Sequence, residues 1–168
     1  GVKRFEGVKA SGEGVYRVQV EDEAGGMQAE GNPLVCVAAR GVHKPFWGDL
    51  HGQSEETVGT NPVSSYFRFA REDALVDFAG HQGNDFQITK AIWAEIRGQA
   101  NKQNDPGRFV AYVGWEWSGN TPVGGDHNVY YPGEDGPVHR SSHVLIEDKS
   151  DADTDCAHVT DLYEALRE

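Results

Sequence analysis

Three side chains with metal-binding or proton-transferring chemistry occur at alternate positions in FWGDLHGQSEETVGT, residues 46–60. They are Asp49, His51 and Gln53. Side chains alternate between the two faces of a β-strand, so these three lie on one face if the segment is extended. Carboxylate and imidazole groups are good ligands for zinc, manganese and iron, whereas a neutral amide oxygen is a weaker one. The segment therefore predicts one wall of a polar site.

Further groups of the same chemistry lie beside other predicted strands. His81 in DFAGHQGND and Glu116 in GWEWSGN stand near strand carboxyl ends, whereas His127 begins DHNVYY. Sites in α/β folds assemble at the carboxyl ends of strands, so these residues are expected to converge with His51. We expect the hairpin of the last two strands to bring Glu116 and His127 together. A single strand histidine is more often an ordinary hydrogen-bonded residue, so the prediction depends on the group as a whole.

The aromatic neighbours of Glu116 sharpen this interpretation. A carboxylate between Trp115 and Trp117 in an apolar strand is costly to bury without a cation or several hydrogen-bond donors. The tryptophans, with Tyr130 and Tyr131, could line a pocket for an organic substrate. Aromatic strand residues more often belong to the core, which is the interpretation that we favour.

The beginning of the chain contains two β-like segments. Residues 14–20 alternate apolar and polar side chains, EDEAGGM is typical of a turn, and residues 32–39 form the second segment. Because two strands alone rarely hold together, we expect residues 1–42 to be the end of a β-sandwich-like domain.

From residue 43 to residue 168 strands and helices alternate. Strands are predicted for residues 46–53, 74–82, 108–119 and 126–133, and helices for residues 61–73, 85–103 and 156–168. Asn61 is expected to cap the first helix with Pro62 at its first position, and Asp155 to cap the last. The polar segment 132–155 is expected to be a solvated loop. This order predicts an α/β fold with a mainly parallel sheet or barrel.

Charge and composition exclude several classes of function. The chain has 15 basic and 27 acidic residues and a formal net charge of −12, which disfavours binding to nucleic acid. No run approaches 18 apolar residues, and the first ten residues lack the apolar core of a signal peptide, so we expect a soluble protein without a membrane segment. Cys36 and Cys156 have no CxxC spacing and are expected to be ordinary thiols.

Several catalytic motifs are absent from the sequence. It contains no GxSxG, GxxxxGK[ST] or HExxH motif and no GxGxxG after a strand, which argues against serine hydrolases and nucleotide-cofactor enzymes. The acidic run at Asp151, Asp153 and Asp155 lacks the glycine and glutamate of an EF-hand, since Cys156 and Leu162 occupy those places.

Taken together, the motifs WGDLHGQS, DFAGHQGND, GWEWSGN and GGDHNVYY resemble the DUF3604 family of uncharacterised bacterial proteins. The core of that family is similar to the PHP (polymerase and histidinol phosphatase) superfamily of metal-dependent hydrolases. The resemblance covers about residues 45–131 and implies a distorted, seven-stranded β/α barrel with two or three metal ions. Residues 45–168 provide only about four strand and helix units, whereas β/α barrels need ~200 residues or more. A partial barrel is therefore expected, with its other half from further chain or another chain.

The resemblance also implies roles for individual residues. His51 resembles the first histidine of the PHP HxH motif, and Gln53 stands where the second would be. His81 resembles the histidine of the second motif, although Gly80 precedes it where Asp is usual. Glu116 resembles the carboxylate that bridges metals, and His127 resembles the histidine that follows. The later His-bearing and DxH motifs of the superfamily have no match.

The resemblance to these families implies a metal-dependent hydrolase, most simply of phosphoester bonds in a small-molecule substrate. His51, His81, Glu116 and His127 are the expected ligands of one or two ions of zinc, manganese or iron. Asp49 would orient a ligand or join the ions, and Gln53 would bind weakly or hydrogen-bond the attacking water. A metal-dependent amidase or carbohydrate-active enzyme, and a non-catalytic metal-binding module, are the alternatives. A bacterial cytoplasmic or periplasmic location is expected.

Overall fold

The computed structural model describes residues 3, 5–37, 43 and 45–167. The chain forms two compact units, residues 1–45 and residues 46–168. In the first unit, strands β1 (Gly14–Tyr16), β2 (Gln19–Glu21), β3 (Gln28–Glu30) and β4 (Leu34–Cys36) form two antiparallel pairs, β1 with β4 and β2 with β3.

The predicted strand over residues 14–20 is therefore two short strands. The chain changes partner between β1 and β2, where the carbonyl of Val18 accepts a hydrogen bond from the N–H of Gly31 at 2.9 Å. The second predicted segment includes residues 38 and 39, which lie outside the described residues. Whether this unit ends a β-sandwich stays a prediction.

The described residues of the second unit form one four-stranded sheet and three α-helices. Its elements are β5 (Gly48–Gly52), α1 (Val63–Glu72), β6 (Phe78–His81), α2 (Lys90–Gln103), β7 (Val110–Ser118), β8 (Asp126–Tyr131) and α3 (Val159–Ala165). The strand order is β5-β6-β7-β8, with β5, β6 and β7 parallel and β7 and β8 antiparallel. The predicted α/β class is confirmed. Over the described residues the sheet is open and does not close into a barrel.

Alternation along β7 separates the hydrophobic core from the candidate site. Trp115 and Trp117 are fully buried, and Trp93 and Ile96 on α2 belong to the same core. The intervening residue of β7, Glu116, points to the opposite face of the sheet. Burial of the two indole rings in the core agrees with their expected structural role.

The ends of α1 and α2 differ from their predicted positions. Pro62, not Asn61, occupies the N-cap of α1, and Asn61 adopts a positive φ of 67°. The side chain of Glu56 instead accepts the N–H of Val63, so an acid from the preceding loop satisfies the helix start. Helix α2 begins at Lys90 because Thr89 caps it, accepting the N–H of Ile92 at 3.2 Å.

The segment before α3 is not the solvated loop that was predicted. Arg140 is 2% exposed, and its Nη1 donates to Asp151 at 2.9 Å. His143 is also buried and bonds to both Asp151 and Asp155. Asp155 therefore does not cap α3, whose N-cap is His158 without a side-chain hydrogen bond. The acids of this segment pair with the buried side chains of Arg140 and His143. The polar composition of the segment did not reveal this burial.

Both cysteines are free thiols, as expected from their spacing. No helix in the described part of the chain combines the length and the apolar character that a membrane span requires.

Candidate functional site

The carboxyl end of β5 is irregular at the first candidate residues. Its pairing with β6 shifts register between Asp49 and Gly52. The N–H of His51 donates to Oδ1 of Asp49 at 2.9 Å, and the Tyr66 hydroxyl donates to Oδ2 at 3.3 Å. A side chain at position 52 would meet the Tyr66 ring, since a Cβ there lies 2.1 Å from it. A bulge bends a strand and redirects its side chains. The direction of the His51 side chain therefore depends on this register shift as well as on strand alternation.

Glu116 is the enclosed acid of the site, at 6% exposure. Its Oε2 accepts hydrogen bonds from Nε2 of Gln53 at 3.2 Å and from Nδ2 of Asn84 at 3.0 Å. The same oxygen lies 3.4 Å from Nε2 of His51. Sequence positions that are far apart thus converge on one carboxylate oxygen, as predicted for His51 and Glu116.

Burial raises the pKa of Glu116, and the neighbouring His51 opposes that rise. Asp126 and Asp85 add negative charge nearby and raise this pKa further. Among the described residues, the ion-pair partner of Glu116 is His51, and neither a lysine nor an arginine pairs with it. A buried carboxylate surrounded by neutral amides and other acids is stabilised by a bound cation.

The orientation of the Asn128 amide is coupled to the position of the proton on the His51 ring. Its Nδ2 lies 3.1 Å from Nδ1 of His51. An amide NH2 group only donates, so Nδ1 is the acceptor and the ring proton of neutral His51 is on Nε2, facing Glu116. If the Asn128 amide turns by half, its oxygen can accept a proton on Nδ1 and Nε2 becomes free to bind an ion.

Asn84 connects the remaining polar groups of the site. Its Nδ2 donates to Glu116 and also to Oγ of Ser118 at 2.9 Å, while its oxygen accepts from Nε2 of Gln53 at 3.1 Å. Neither Asn84 nor Asn128 was predicted as a site residue from the sequence. Asn84 follows the carboxyl end of β6 and forms a bridge with Glu116, so its position after a strand was the available signal.

The strand register contradicts the expected contact between Glu116 and His127. Asn128 lies opposite Glu116, whereas His127 lies opposite Trp117. Directly opposed residues in an antiparallel pair share a face, so a difference of one position moves His127 to the other side of the sheet. There its Nε2 bonds to the carbonyl of Gly124 and its Nδ1 to the hydroxyl of Tyr163, both at 3.2 Å. Coordination by His127 stays a prediction, and the ring would have to leave these partners and reach the opposite face of the sheet.

His81 is fully buried, and both of its ring nitrogens have partners inside the protein. Nδ1 accepts the N–H of Gly83 at 3.2 Å, and Nε2 lies 2.7 Å from Oγ of Ser54. The neutral ring must therefore carry its proton on Nε2 and donate it to Ser54. Burial lowers the pKa of His81 to about 4, although Glu56 opposes this shift. Metal binding by His81 stays a prediction and would require it to give up one of these bonds.

A glycine before His81 has a steric explanation. A Cβ at Gly80 would lie 3.0 Å from the ring of Tyr130. A side chain at position 80 would therefore require the Tyr130 ring to shift by a few tenths of an ångström.

The donor chemistry fits one side of a metal site. His51 and Glu116 offer an imidazole nitrogen and a buried carboxylate, which are ligands for divalent transition metals. In the described part of the chain, no three His, Cys, Asp or Glu side chains form a group that could hold an ion. A complete coordination shell around His51 and Glu116 would therefore need further donors or movement of side chains.

Comparisons with known proteins identify a family without an established function. The sequence model described as "Protein of unknown function (DUF3604)" matches residues 38–166. The chain is 24% identical over 123 residues to an uncharacterised protein of Chlamydia pneumoniae, covering 72% of this chain and 20% of the relative. It is 28% identical over 120 residues to one from Chlamydia trachomatis serovar D, covering 69% of this chain and 19% of the relative.

A third uncharacterised relative, from Chlamydia muridarum, is 26% identical over 118 residues, which cover 69% of this chain and 19% of the relative. The chain thus spans about a fifth of the length of these curated relatives. No solved structure matches it significantly. Because the family model covers most of the sequence, the chain belongs to the DUF3604 family.

Proposed function

We propose that the protein is a metal-dependent hydrolase, most simply of phosphoester bonds, and that this chain supplies one side of its catalytic site. The observation that carries the proposal is the convergence of His51 and Glu116 beside the carboxyl ends of parallel strands. Nε2 and Oε2 lie 3.4 Å apart, and the carboxylate is buried without a lysine or arginine among its described ion-pair partners. Such a pair resembles one edge of a metal coordination shell.

His51 and Glu116 would hold the ion. A bound divalent ion would lower the pKa of a coordinated water toward ~7 and offset negative charge on the attacked group. The role of Asn84 is to hold the Glu116 carboxylate in place, since it donates to Oε2 at 3.0 Å and is itself joined to Ser118. Asn128 holds the His51 ring through Nδ1. Hydrogen bonds of this kind orient metal ligands and strengthen binding.

Gln53 is suited to orient groups rather than to bind an ion strongly. Its Nε2 donates to both Glu116 and Asn84, and its Oε1 accepts from the Thr57 hydroxyl at 2.6 Å. Both ends of the amide are therefore held by the protein. In the proposed enzyme Gln53 keeps Glu116 in place where a PHP relative would have a ligating histidine.

Asp49 would act from beside His51. Its carboxylate is held by the N–H of His51 and the Tyr66 hydroxyl. Burial raises the pKa of the Tyr130 hydroxyl, and the negative charges of Asp49 and Glu116 raise it further. We propose that Asp49 supports the ion electrostatically and that the open sheet begins a PHP-like β/α barrel, completed by further chain or a second chain.

A non-catalytic metal-binding module is the second candidate. It is favoured by the pairing of both His81 nitrogens within the protein and by the amide at position 53. A module of this kind would bind a metal but would not hydrolyse esters or amides. Metal-dependent amide or glycoside hydrolysis would use the same ligands, so a substrate panel is required to distinguish these reactions.

The test is metal analysis and hydrolysis by the purified full-length protein. We expect close to stoichiometric zinc, manganese or iron, and hydrolysis of p-nitrophenyl phosphate or bis-p-nitrophenyl phosphate. His51→Ala combined with Glu116→Gln should lose the metal and the activity. His158→Ala, which changes an exposed histidine, is the control and should retain both.

Wild-type protein without stoichiometric metal, or the double variant with its metal unchanged, would overturn the metal site. Metal without phosphoesterase activity but with amide or glycoside hydrolysis would instead identify a different hydrolase. Metal without any of these activities would favour the binding module.

A further inference from the structure

A cleft lies next to the candidate site and is not used by the proposed metal chemistry. It has a volume of about 320 Å³ and lies between the start of α1 and the preceding loop. Its lining combines polar and aromatic residues, namely Gln53, Thr60, Asn61, Ser65, Tyr66, Arg68 and Phe69. We call it the Arg68 cleft.

Arg68 is the charged residue of this lining, and its guanidinium has spare binding capacity. Its Nη1 lies 3.9 Å from Asp73, and the Arg68 side chain is 54% exposed. An exposed pair at that distance is weak, because solvent screens it and side-chain ordering opposes it. A guanidinium presents five donors in a planar fork, which matches the oxygens of a phosphate or carboxylate.

Neutral polar residues line the same cleft as this cation. Thr60, Asn61 and Ser65 contribute to the lining, and their side chains carry hydroxyl or amide groups. These groups can donate to an oxyanion without adding negative charge. On a chain with a net charge of −12, most of the surface repels anions, so a cleft whose charged lining residue is a cation offers a distinct environment.

Two residues of the cleft also contact the acids of the candidate site. Gln53 donates to Oε2 of Glu116 at 3.2 Å, and Tyr66 donates to Oδ2 of Asp49 at 3.3 Å. The cleft and the His51–Glu116 pair are therefore neighbours separated by single side chains. A substrate with a reacting group near Glu116 could place another anionic group in the cleft.

We propose that the Arg68 cleft is a substrate subsite for a phosphate group, bound by the Arg68 guanidinium with the hydroxyls of Thr60 and Ser65. It rests on the proposed function in one respect, that the bound phosphate belongs to the substrate of the adjacent metal site. The cleft selects for an oxyanion, whereas the metal site acts on the bond that is broken. Two separate binding steps are therefore predicted.

The test is calorimetric titration of inorganic phosphate into the full-length protein after EDTA treatment, so that binding through a metal does not contribute. We expect saturable binding that Arg68→Gln weakens by about tenfold or more, because a charge-assisted hydrogen bond is lost. Arg108→Gln is the matched control. Arg108 is exposed, also lies 3.9 Å from an aspartate, and its replacement changes the net charge equally.

Additional measurements distinguish phosphate binding from carboxylate binding, and they test the subsite separately from the metal site. Acetate in place of phosphate should bind more weakly, and equal affinity would assign the cleft to carboxylates instead. Arg68→Lys should restore part of the phosphate affinity, and thermal melting should show that the variants are folded. His51→Ala with Glu116→Gln should retain phosphate binding while losing metal. Absence of saturable binding, or equal affinity in Arg68→Gln and wild type, would overturn the subsite even if the metal site is correct.

Discussion

Nε2 of His51 lies 3.4 Å from Oε2 of Glu116, and this pair joins β5 to β7 across the intervening strand β6. Each partner is held by an asparagine, His51 by Asn128 and Glu116 by Asn84. The site is therefore an imidazole and a carboxylate oriented by amides. Amides supply hydrogen bonds without adding charge, so the negative charge of Glu116 stays available to a cation.

Asn84→Ala tests whether this orientation matters. The variant removes the hydrogen bonds to Glu116 and Ser118 without removing a proposed ligand. We expect a metal affinity about 10- to 100-fold lower, the usual effect of losing a group that orients a ligand. Metal titration by calorimetry measures it. Asn101→Ala, which removes an amide on an exposed part of α2, is the control, and equal affinities in all three proteins would contradict the orienting role.

Glu116→Gln should separate stability from metal binding. Burial raises the pKa of Glu116, so the folded state disfavours its charged form, and the metal-free wild type loses stability as the pH rises through the unfolded pKa toward the folded one. Glutamine has no such penalty. In EDTA at pH 7 we therefore expect the variant to be at least as stable as the wild type in urea, while its metal affinity falls at least about tenfold.

Glu147→Gln, which neutralises an exposed acid, is the control for this comparison. It should leave both metal affinity and stability close to those of the wild type. A Glu116→Gln protein that binds metal normally would show that this carboxylate is not a ligand.

The ends of strand β7 could be predicted from the sequence, whereas the strand register around Glu116 could not. Strand β7 was predicted close to its observed ends because Trp115 and Trp117 alternate with small or polar residues. The pairing of Glu116 was not predictable, because a register difference of one position exchanges Asn128 for His127. Sequence spacing places both residues in β8 but does not give the position at which the hairpin turns.

Polar residues outside regular elements were the least predictable. Helix α2 begins at Lys90, five residues after its predicted start, because Thr89 caps it and a 3-10 turn at Asp85–Gln87 precedes the cap. Arg140 and His143 carried no hydrophobic signal, yet they are buried because acids from the same segment pair with them. Such burial depends on tertiary partners, which no local pattern records.

His81 should make the stability of the protein dependent on pH. Its pKa is about 4 when folded, below the ordinary value of 6.5, because it is buried. The unfolded chain therefore binds more protons than the folded one between these values, and stability falls as the pH drops from about 6.5 to about 4. The loss at pH 4 should reach about 3 kcal/mol from this residue.

Urea unfolding between pH 7 and pH 4 measures this dependence. His81→Gln should flatten the pH slope, whatever its effect on stability at pH 7. His158→Gln, a change at an exposed histidine, should keep the wild-type slope. An unchanged slope in His81→Gln would mean that other groups cause the pH dependence.

Asp85 should stabilise the connection between β7 and the segment before α3. It is fully buried, and its Oδ1 accepts the N–H of Ser118 at 2.6 Å. Its Oδ2 accepts both the N–H and the hydroxyl of Ser141, the latter at 2.7 Å. Asp85→Asn would keep one acceptor oxygen and turn an NH2 group toward donors, leaving buried groups unpaired.

We therefore expect Asp85→Asn to reduce the free energy of unfolding by about 2–4 kcal/mol and to increase amide hydrogen exchange in residues 137–158. Burial raises the pKa of Asp85, which alone would favour a neutral side chain at this position. The hydrogen bonds should nevertheless dominate, because they satisfy three donors from two segments. Asp153→Asn, at an exposed acid in the same region, should change stability by less than about 0.5 kcal/mol. If Asp85→Asn were equally mild, desolvation of the charge would outweigh the bonds that it accepts.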